Sequence, residues 1–263
     1  MKRMKIQFFL SLVFCFALFI FAFYKRTDMY VLPHGAELRI FSATRLKESF
    51  KAIIICPGGG YSSLTKWREG YLWVPFFLEQ GYTVAVLEYR MPKHNYRIPV
   101  TDAIEAIKLM RNLATDSKHV EIGMMGFSAG GHLVSTLAIS SRTSIRPDFT
   151  ILFYPVISMK SDLTHKWTHD NLLGINCTQE LEDMLSSNLH ITKDTPPVFI
   201  AVSANDSVVK PANGFIFHRS MIKNNRQSTL KIYPSGGHGW GYNRSFEWHE
   251  QMKKDLRQWL KEH

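Results

Sequence analysis

From about residue 38 onward, short apolar runs rich in β-branched residues alternate with longer amphipathic ones. Residues 38–41, 52–56, 83–87, 120–126, 149–154, 198–202 and 230–233 read as strands. Several are continuously apolar, the pattern of strands covered on both faces in a mostly parallel sheet. Between them, 103–113 sets Ile104, Ile107, Leu109, Met110 and Leu113 on one stripe, and Asp102 with Glu105 three residues on reads as a capping box at its start. The stretch 211–223 opens on Pro211, suited to a first helical turn. A closing helix over 246–260 turns Trp248, Met252, Leu256, Trp259 and Leu260 inward. This alternation predicts an α/β architecture, a mostly parallel central sheet flanked by helices with right-handed crossovers.

Two stretches depart from it. From about 156 to 195 there is no strand-like run, and the segment reads as a small lid-like insertion over the strand ends. At the other end, Lys2, Arg3 and Lys5 precede an almost wholly apolar run over 6–24, closed by Lys25 and Arg26. A basic start before an apolar run is the pattern of an export signal, and the run is near the roughly 20 residues that span a bilayer. Residues 1–26 are therefore expected to be a cleaved signal or a retained anchor touching the membrane. The protein is expected to be periplasmic, secreted or membrane-anchored, with residues 27–263 as one domain.

At 45% hydrophobic and 21% charged residues, the full chain has the composition of a folded globule rather than a disordered or fibrous chain. The net charge of +10 raises the question of a nucleic-acid partner. Setting aside the five basic residues around the leader leaves 27 basic against 22 acidic, scattered and with no basic run among stacking aromatics, which argues against one. Of three cysteines, Cys15 lies in the leader, Cys56 in an apolar strand and Cys177 in the insertion, so no disulfide framework is expected.

The candidate chemistry centres on Gly126-Phe127-Ser128-Ala129-Gly130, directly after the 120–125 run and before a helical segment. G-x-S-x-G at that junction puts a serine on a sharp strand-to-helix turn, where glycines remove the Cβ atoms that would clash. The Ala129 amide then points at any negative charge developing beside the serine. Upstream, Gly58-Gly59-Gly60 follows the 52–56 strand and offers further backbone donors, Gly59 foremost, with Gly58 and Gly60 as neighbours. No G-K-[ST] follows, which excludes a nucleotide phosphate loop.

A serine hydroxyl needs a base, and the base an orienting carboxylate. Asp206 follows the 198–202 strand by a short turn, and His238 lies in a Gly-rich loop after the 230–233 strand, giving the order serine, acid, histidine. His132 is too close to Ser128 in sequence to serve and reads as packing. No H-E-x-x-H spacing occurs, so neither a catalytic metal nor a cofactor is expected.

These motifs, with LEYRMP at 87–92, RPDF at 146–149, FYPVISM at 153–159, TPP at 195–197 and YPSGGHGWG at 233–241, give the chain its resemblance. It resembles the esterase branch of the α/β hydrolases that includes bacterial acetyl xylan esterases and feruloyl-esterase-like carbohydrate esterases. The resemblance implies an α/β-hydrolase fold, a triad on Ser128, Asp206 and His238, and an oxyanion hole on Gly59, Gly60 and Ala129. It implies a small-molecule or polysaccharide ester as substrate, acetylated xylan foremost. Members often carry a run of acidic residues at the acid loop, where this chain has Ala204-Asn205-Asp206. Tyr61, Trp67, Trp167 and Trp240 are candidate sugar platforms, with Tyr61 and Trp240 taken as substrate-binding. An oligopeptidase-like serine peptidase and a catalytically silent binding module are the alternatives. The complete set of three triad residues weighs against the second.

Overall fold

The structure, a computed structural model, describes residues 27–42, 49–114 and 117–263. The leader read over 1–26, and with it the expectation of export or anchoring, lies outside the described residues. No helix among those described is long and apolar enough to cross a membrane.

The apolar runs pair into one sheet. In chain order its strands are β1 (Thr27–Val31), β2 (Glu37–Phe41), β3 (Ser49–Cys56), β4 (Thr83–Glu88), β5 (His119–Phe127), β6 (Phe149–Phe153), β7 (Val198–Ser203) and β8 (Ser228–Tyr233). Their spatial order is β1-β2-β4-β3-β5-β6-β7-β8. β2 pairs antiparallel with β1 and β4, and every pair from β4 to β8 is parallel. The helices are α1 (Val74–Leu78), α2 (Arg97–Leu113), α3 (Ala129–Ala138), α4 (Lys166–Leu173), α5 (Gln179–Met184), α6 (Ala212–Lys223) and α7 (His249–Glu262).

Period-two alternation sends each strand's side chains into two separate cores. Ala52, Ile54 and Cys56 of β3 join Ala85 and Leu87 of β4 on one face, under α2, α3 and α6. Ile53 and Ile55 join Val84 and Val86 on the other, with Trp73, Phe77, Phe153 and the Leu256–Trp259 turn of α7. Both faces are covered, which is why these strands are apolar throughout rather than alternating.

Three boundaries differ from the sequence reading. β1 is an additional strand whose residues alternate between exposed and half-buried, so it has no continuous apolar run to mark it. α2 begins at Arg97, which places Asp102 inside the helix rather than at its cap. There the buried Asp102 carboxylate accepts the Arg90 backbone N–H at 2.9 Å and the Arg90 guanidinium at 2.7 and 3.1 Å, fixing the chain after β4. A carboxylate three residues before a glutamate has the spacing of a cap, but here the same residue type serves as a buried partner of Arg90. α7 begins at His249, after turns over 242–248.

Residues 156–195 carry α4, α5 and a 3₁₀ turn at Ser187–Leu189, with no strand. Chain direction away from β3 and β5 is opposite, toward β4 on one side and β6 on the other. In open α/β sheets the crevice at the carboxyl ends of two such strands is where ligands bind. The glycine loop after β3 and the serine turn after β5 both open into it.

Candidate active site

Ser128 sits between β5 and α3 with φ 51° and ψ −118°, a conformation that costs energy for any residue bearing a side chain. Its neighbours show why the turn needs glycine. A Cβ on Gly126 would lie 2.3 Å from the Gly130 carbonyl oxygen, and one on Gly130 would lie 2.1 Å from that of Cys56. The turn is held by Ser128 N–H donating to the Phe153 carbonyl at 3.0 Å. Ala129 opens α3, so its N–H has no acceptor within the helix and lies beside the serine.

Two loops bring their side chains to the serine. His238 Nε2 is 2.9 Å from Ser128 Oγ, and His238 Nδ1 is 2.7 Å from Asp206 Oδ2. Asp206 Oδ1 accepts the Val208 and Val209 N–H groups at 2.9 and 3.0 Å, so the buried carboxylate has a fixed orientation. With Asp206 accepting at Nδ1, the neutral imidazole carries its proton there and leaves the Nε2 lone pair facing the serine hydroxyl. Asn205 Oδ1 accepts the Gly237 N–H at 2.9 Å and ties the aspartate loop to the histidine loop.

The Gly58–Gly60 loop approaches from β3. A Cβ on Gly58 would lie 2.9 Å from that of Ser128, so only glycine lets the two strand ends come this close. The Gly58 N–H is occupied: it donates to Glu69 Oε2 at 2.8 Å. That leaves the Gly59 and Gly60 amides as the loop's candidate donors toward the serine.

Glu69 carries no sequence signal for its place, since Trp67-Arg68-Glu69 is a polar stretch, yet it is buried. Its Oε1 accepts the Tyr154 hydroxyl at 2.8 Å, and that hydroxyl accepts the Gly241 N–H at 2.9 Å. The Tyr154 ring stands edge-on to His238 with centroids 4.8 Å apart. Glu69 thus links the glycine loop to the histidine loop through one tyrosine. Burial pushes its carboxyl above the ordinary range, opposed by the Tyr154 and Gly58 hydrogen bonds and by nearby His238.

The two residues taken as substrate-binding prove to be structural. Tyr61 is 2% exposed, and its hydroxyl meets His132 Nδ1 at 3.0 Å. Trp240 is 4% exposed, stacks on Phe246 and donates Nε1–H to Ser203 Oγ at 2.9 Å. Both rings follow a glycine loop and fill the core beneath it; sequence position alone does not separate the floor of a loop from its mouth. Trp67 is exposed against Tyr71. Trp167 of α4 is 60% exposed, and its Nε1–H donates to Ser62 Oγ at 3.1 Å. Its ring lies where a Cβ on Gly60 would be, 2.6 Å from Cδ1, and Asn171, one turn on, donates to the Gly60 carbonyl at 2.9 Å.

His132, buried in α3, donates Nε2–H to the Leu185 carbonyl at 2.8 Å and accepts from Tyr61 at Nδ1. It joins the glycine loop, the serine helix and the insertion.

A mostly parallel sheet, with serine, aspartate and histidine on the loops after β5, β7 and β8, is the arrangement of an α/β hydrolase. The chain belongs to the BD-FAE family, whose model matches residues 38–221. It is 39% identical over 220 residues to an acetylxylan esterase of Xylanibacter ruminicola, covering 81% of this chain and 46% of that protein. It is 32% identical over 212 residues to endo-1,4-beta-xylanase B of Butyrivibrio fibrisolvens, covering 71% of this chain and 32% of that one. The chain spans less than half the length of these curated relatives. Among solved structures, it resembles an acetyl ester-xyloside bifunctional hydrolase from Caldicellulosiruptor lactoaceticus, with a TM-score of 0.79 at 28% identity over 88% of this chain and 89% of that one. The carboxylesterase Cest-2923 of Lactobacillus plantarum shares the fold, with a TM-score of 0.73 at 19% identity over 90% of this chain and 97% of that one.

Proposed function

We propose that the protein is a serine esterase that removes acyl groups, acetyl foremost, from carbohydrate esters such as acetylated xylan. The observation that carries this reading is the hydrogen-bonded line from Ser128 Oγ through His238 to Asp206. The names of the xylan-degrading relatives support the choice of sugar ester, and the basic-apolar segment 1–26 supports export toward such a polymer.

In this reaction Ser128 Oγ attacks the ester carbonyl as its proton passes to His238 Nε2. Asp206 keeps Nδ1 protonated and stabilises the imidazolium. The carbonyl oxygen, now negative, accepts from the Ala129 amide and the Gly59 or Gly60 amide; each such donor contributes about 10²–10³ in rate. Collapse expels the sugar oxygen, which takes the proton from Nε2. Water, deprotonated in turn by His238, attacks the acyl-enzyme and releases the acid.

The test is acetate release from acetylated xylan by the full chain, compared with feruloyl esters and a proline-containing amide. Ser128→Ala is expected to lower kcat by a factor on the order of 10⁶ and to abolish labelling by a fluorophosphonate probe. Undiminished acetate release from that variant overturns the serine assignment. Faster cleavage of the amide than of any ester overturns the esterase reading.

A further inference from the structure

The insertion holds a group of side chains that the esterase reaction does not use. His169 on α4 faces Glu182 on α5, and Cys177 lies in the turn between the two helices. His169 Nε2 is 3.0 Å from Glu182 Oε1 and 3.3 Å from Cys177 Sγ, and Sγ is 3.8 Å from Oε1. Tetrahedral zinc has bonds of about 2.3 Å to sulfur and about 2.0–2.2 Å to nitrogen or oxygen, so its donor-to-donor edges are roughly 3.3–3.6 Å. The three observed sides match one face of that tetrahedron to within a few tenths of an ångström.

The other side of the imidazole bears on the same point. His169 Nδ1 lies 2.9 Å from Asp170 Oδ1, while Nε2 points at Glu182, so both ring nitrogens face carboxylate oxygens. Two protons on the ring would satisfy both, whereas a neutral imidazole has a single N–H and leaves Nε2 free to take a cation in place of the second proton. With the proton on Nδ1, the Nε2 lone pair points at an anionic oxygen and a sulfur, a contact that a cation between them turns from repulsion into three bonds. Asp170, which also pairs with Lys166, then stands behind the histidine as the carboxylate that orients a ligating imidazole.

We propose that His169 Nε2, Cys177 Sγ and Glu182 Oε1 form a structural site for a thiophilic divalent cation of the zinc type. One sulfur and one nitrogen among three donors disfavour magnesium and calcium, which take oxygen. His169 is buried and the other two are half-buried, which leaves the fourth position to water. On binding, the thiol loses its proton to solvent and the thiolate becomes the ligand. The cation clips α4 to α5. Because α4 also carries Trp167 and Asn171, the clip steadies the helix that touches the Gly60 loop. Seven residues separate the histidine from the cysteine and four separate the cysteine from the glutamate, a spacing unlike the usual zinc motifs.

The test titrates the full chain, stripped with a chelator, with Co²⁺ as an absorbing stand-in for zinc. One Co²⁺ per chain is expected, with thiolate-to-cobalt charge-transfer absorption that Zn²⁺ displaces. Cys177→Ser should abolish that absorption. Asp170→Asn should weaken binding ten- to a hundredfold. Where a variant does not fold, alkylation of Cys177 in the unaltered chain reads the same site: Zn²⁺ should slow it at least tenfold and Mg²⁺ should not. Absence of saturable one-to-one uptake, absorption that survives Cys177→Ser, or alkylation indifferent to Zn²⁺ overturns the proposal.

Discussion

His132 shows how one residue can fix three segments and leave its trace in the pH dependence of stability. Burial pulls its pKa from 6.5 down to about 4, against the hydrogen bond to Leu185. The folded state therefore resists a proton that the unfolded chain accepts. The stabilisation is complete above about pH 6.5 and is lost as pH falls through 4, about 3 kcal/mol in all from that shift. Urea unfolding across pH 4–7.5 should show this loss. A His132→Gln variant, which has no ring to titrate, should give a profile flatter by that amount; parallel profiles would remove His132 as the cause. Glu69 makes a second prediction. Glu69→Gln leaves a donor unmatched whichever way the amide turns, either the Gly58 N–H or the Tyr154 hydroxyl. The glycine loop then loses its register against Ser128. We expect kcat on a small acetyl ester to fall ten- to a hundredfold, bounded above by the value of one oxyanion donor, with KM changed less than threefold. An unchanged kcat removes Glu69 from the positioning of the loop. The sequence pointed to Ser128, Asp206 and His238 because each follows an apolar strand at a fixed short distance. Glu69 and Tyr154 were not legible, because burial of a polar side chain depends on contacts between residues 85 apart in the chain.

At the scale of elements, the continuous apolar runs of β3 through β7 were readable because a strand covered on both faces is apolar at nearly every position. β1 was not, since a half-exposed edge strand differs little from a loop in composition. The start of α2 was misjudged because Arg97 to Thr101 lack an apolar stripe of their own, with Pro99 the buried residue of that turn. The strand-to-helix turn at Ser128 was legible from its glycines, and their necessity can be measured. A Cβ on Gly126 meets the backbone of α3 at Gly130 and Gly131, at 2.3–2.7 Å, rather than a side chain that could rotate away. Gly126→Ala should therefore destabilise the fold by about 3 kcal/mol and lower turnover together with it. Gly237 has open space around its Cβ position and a positive φ, so Gly237→Ala should cost only about 1 kcal/mol. Chemical denaturation of the two variants separates the cases, and equal losses would remove packing against α3 as the reason for glycine at 126.

Across the whole molecule, the proposed function requires that a site buried at the sheet's switch point meet a polymer. The buried rings Tyr61 and Trp240 brace the loops from below and cannot touch it. On that proposal the surface to test is the insertion, where the exposed Trp167 is anchored by Ser62 and set against Gly60. An indole held at its nitrogen and largely exposed suits the apolar face of a sugar ring. Trp167→Ala removes that contact and leaves Ser128, His238 and Asp206 untouched. The variant should raise KM for acetylated xylan about three- to tenfold and keep kcat/KM for p-nitrophenyl acetate within a factor of two. The contrast between substrates is what makes the test discriminating: a general disturbance of α4 would carry through Asn171 to the Gly60 carbonyl and depress both activities alike. Equal effects on polymer and small ester would place Trp167 in support of the loop. No effect on either would move sugar binding to another surface, with Trp67 next to be replaced.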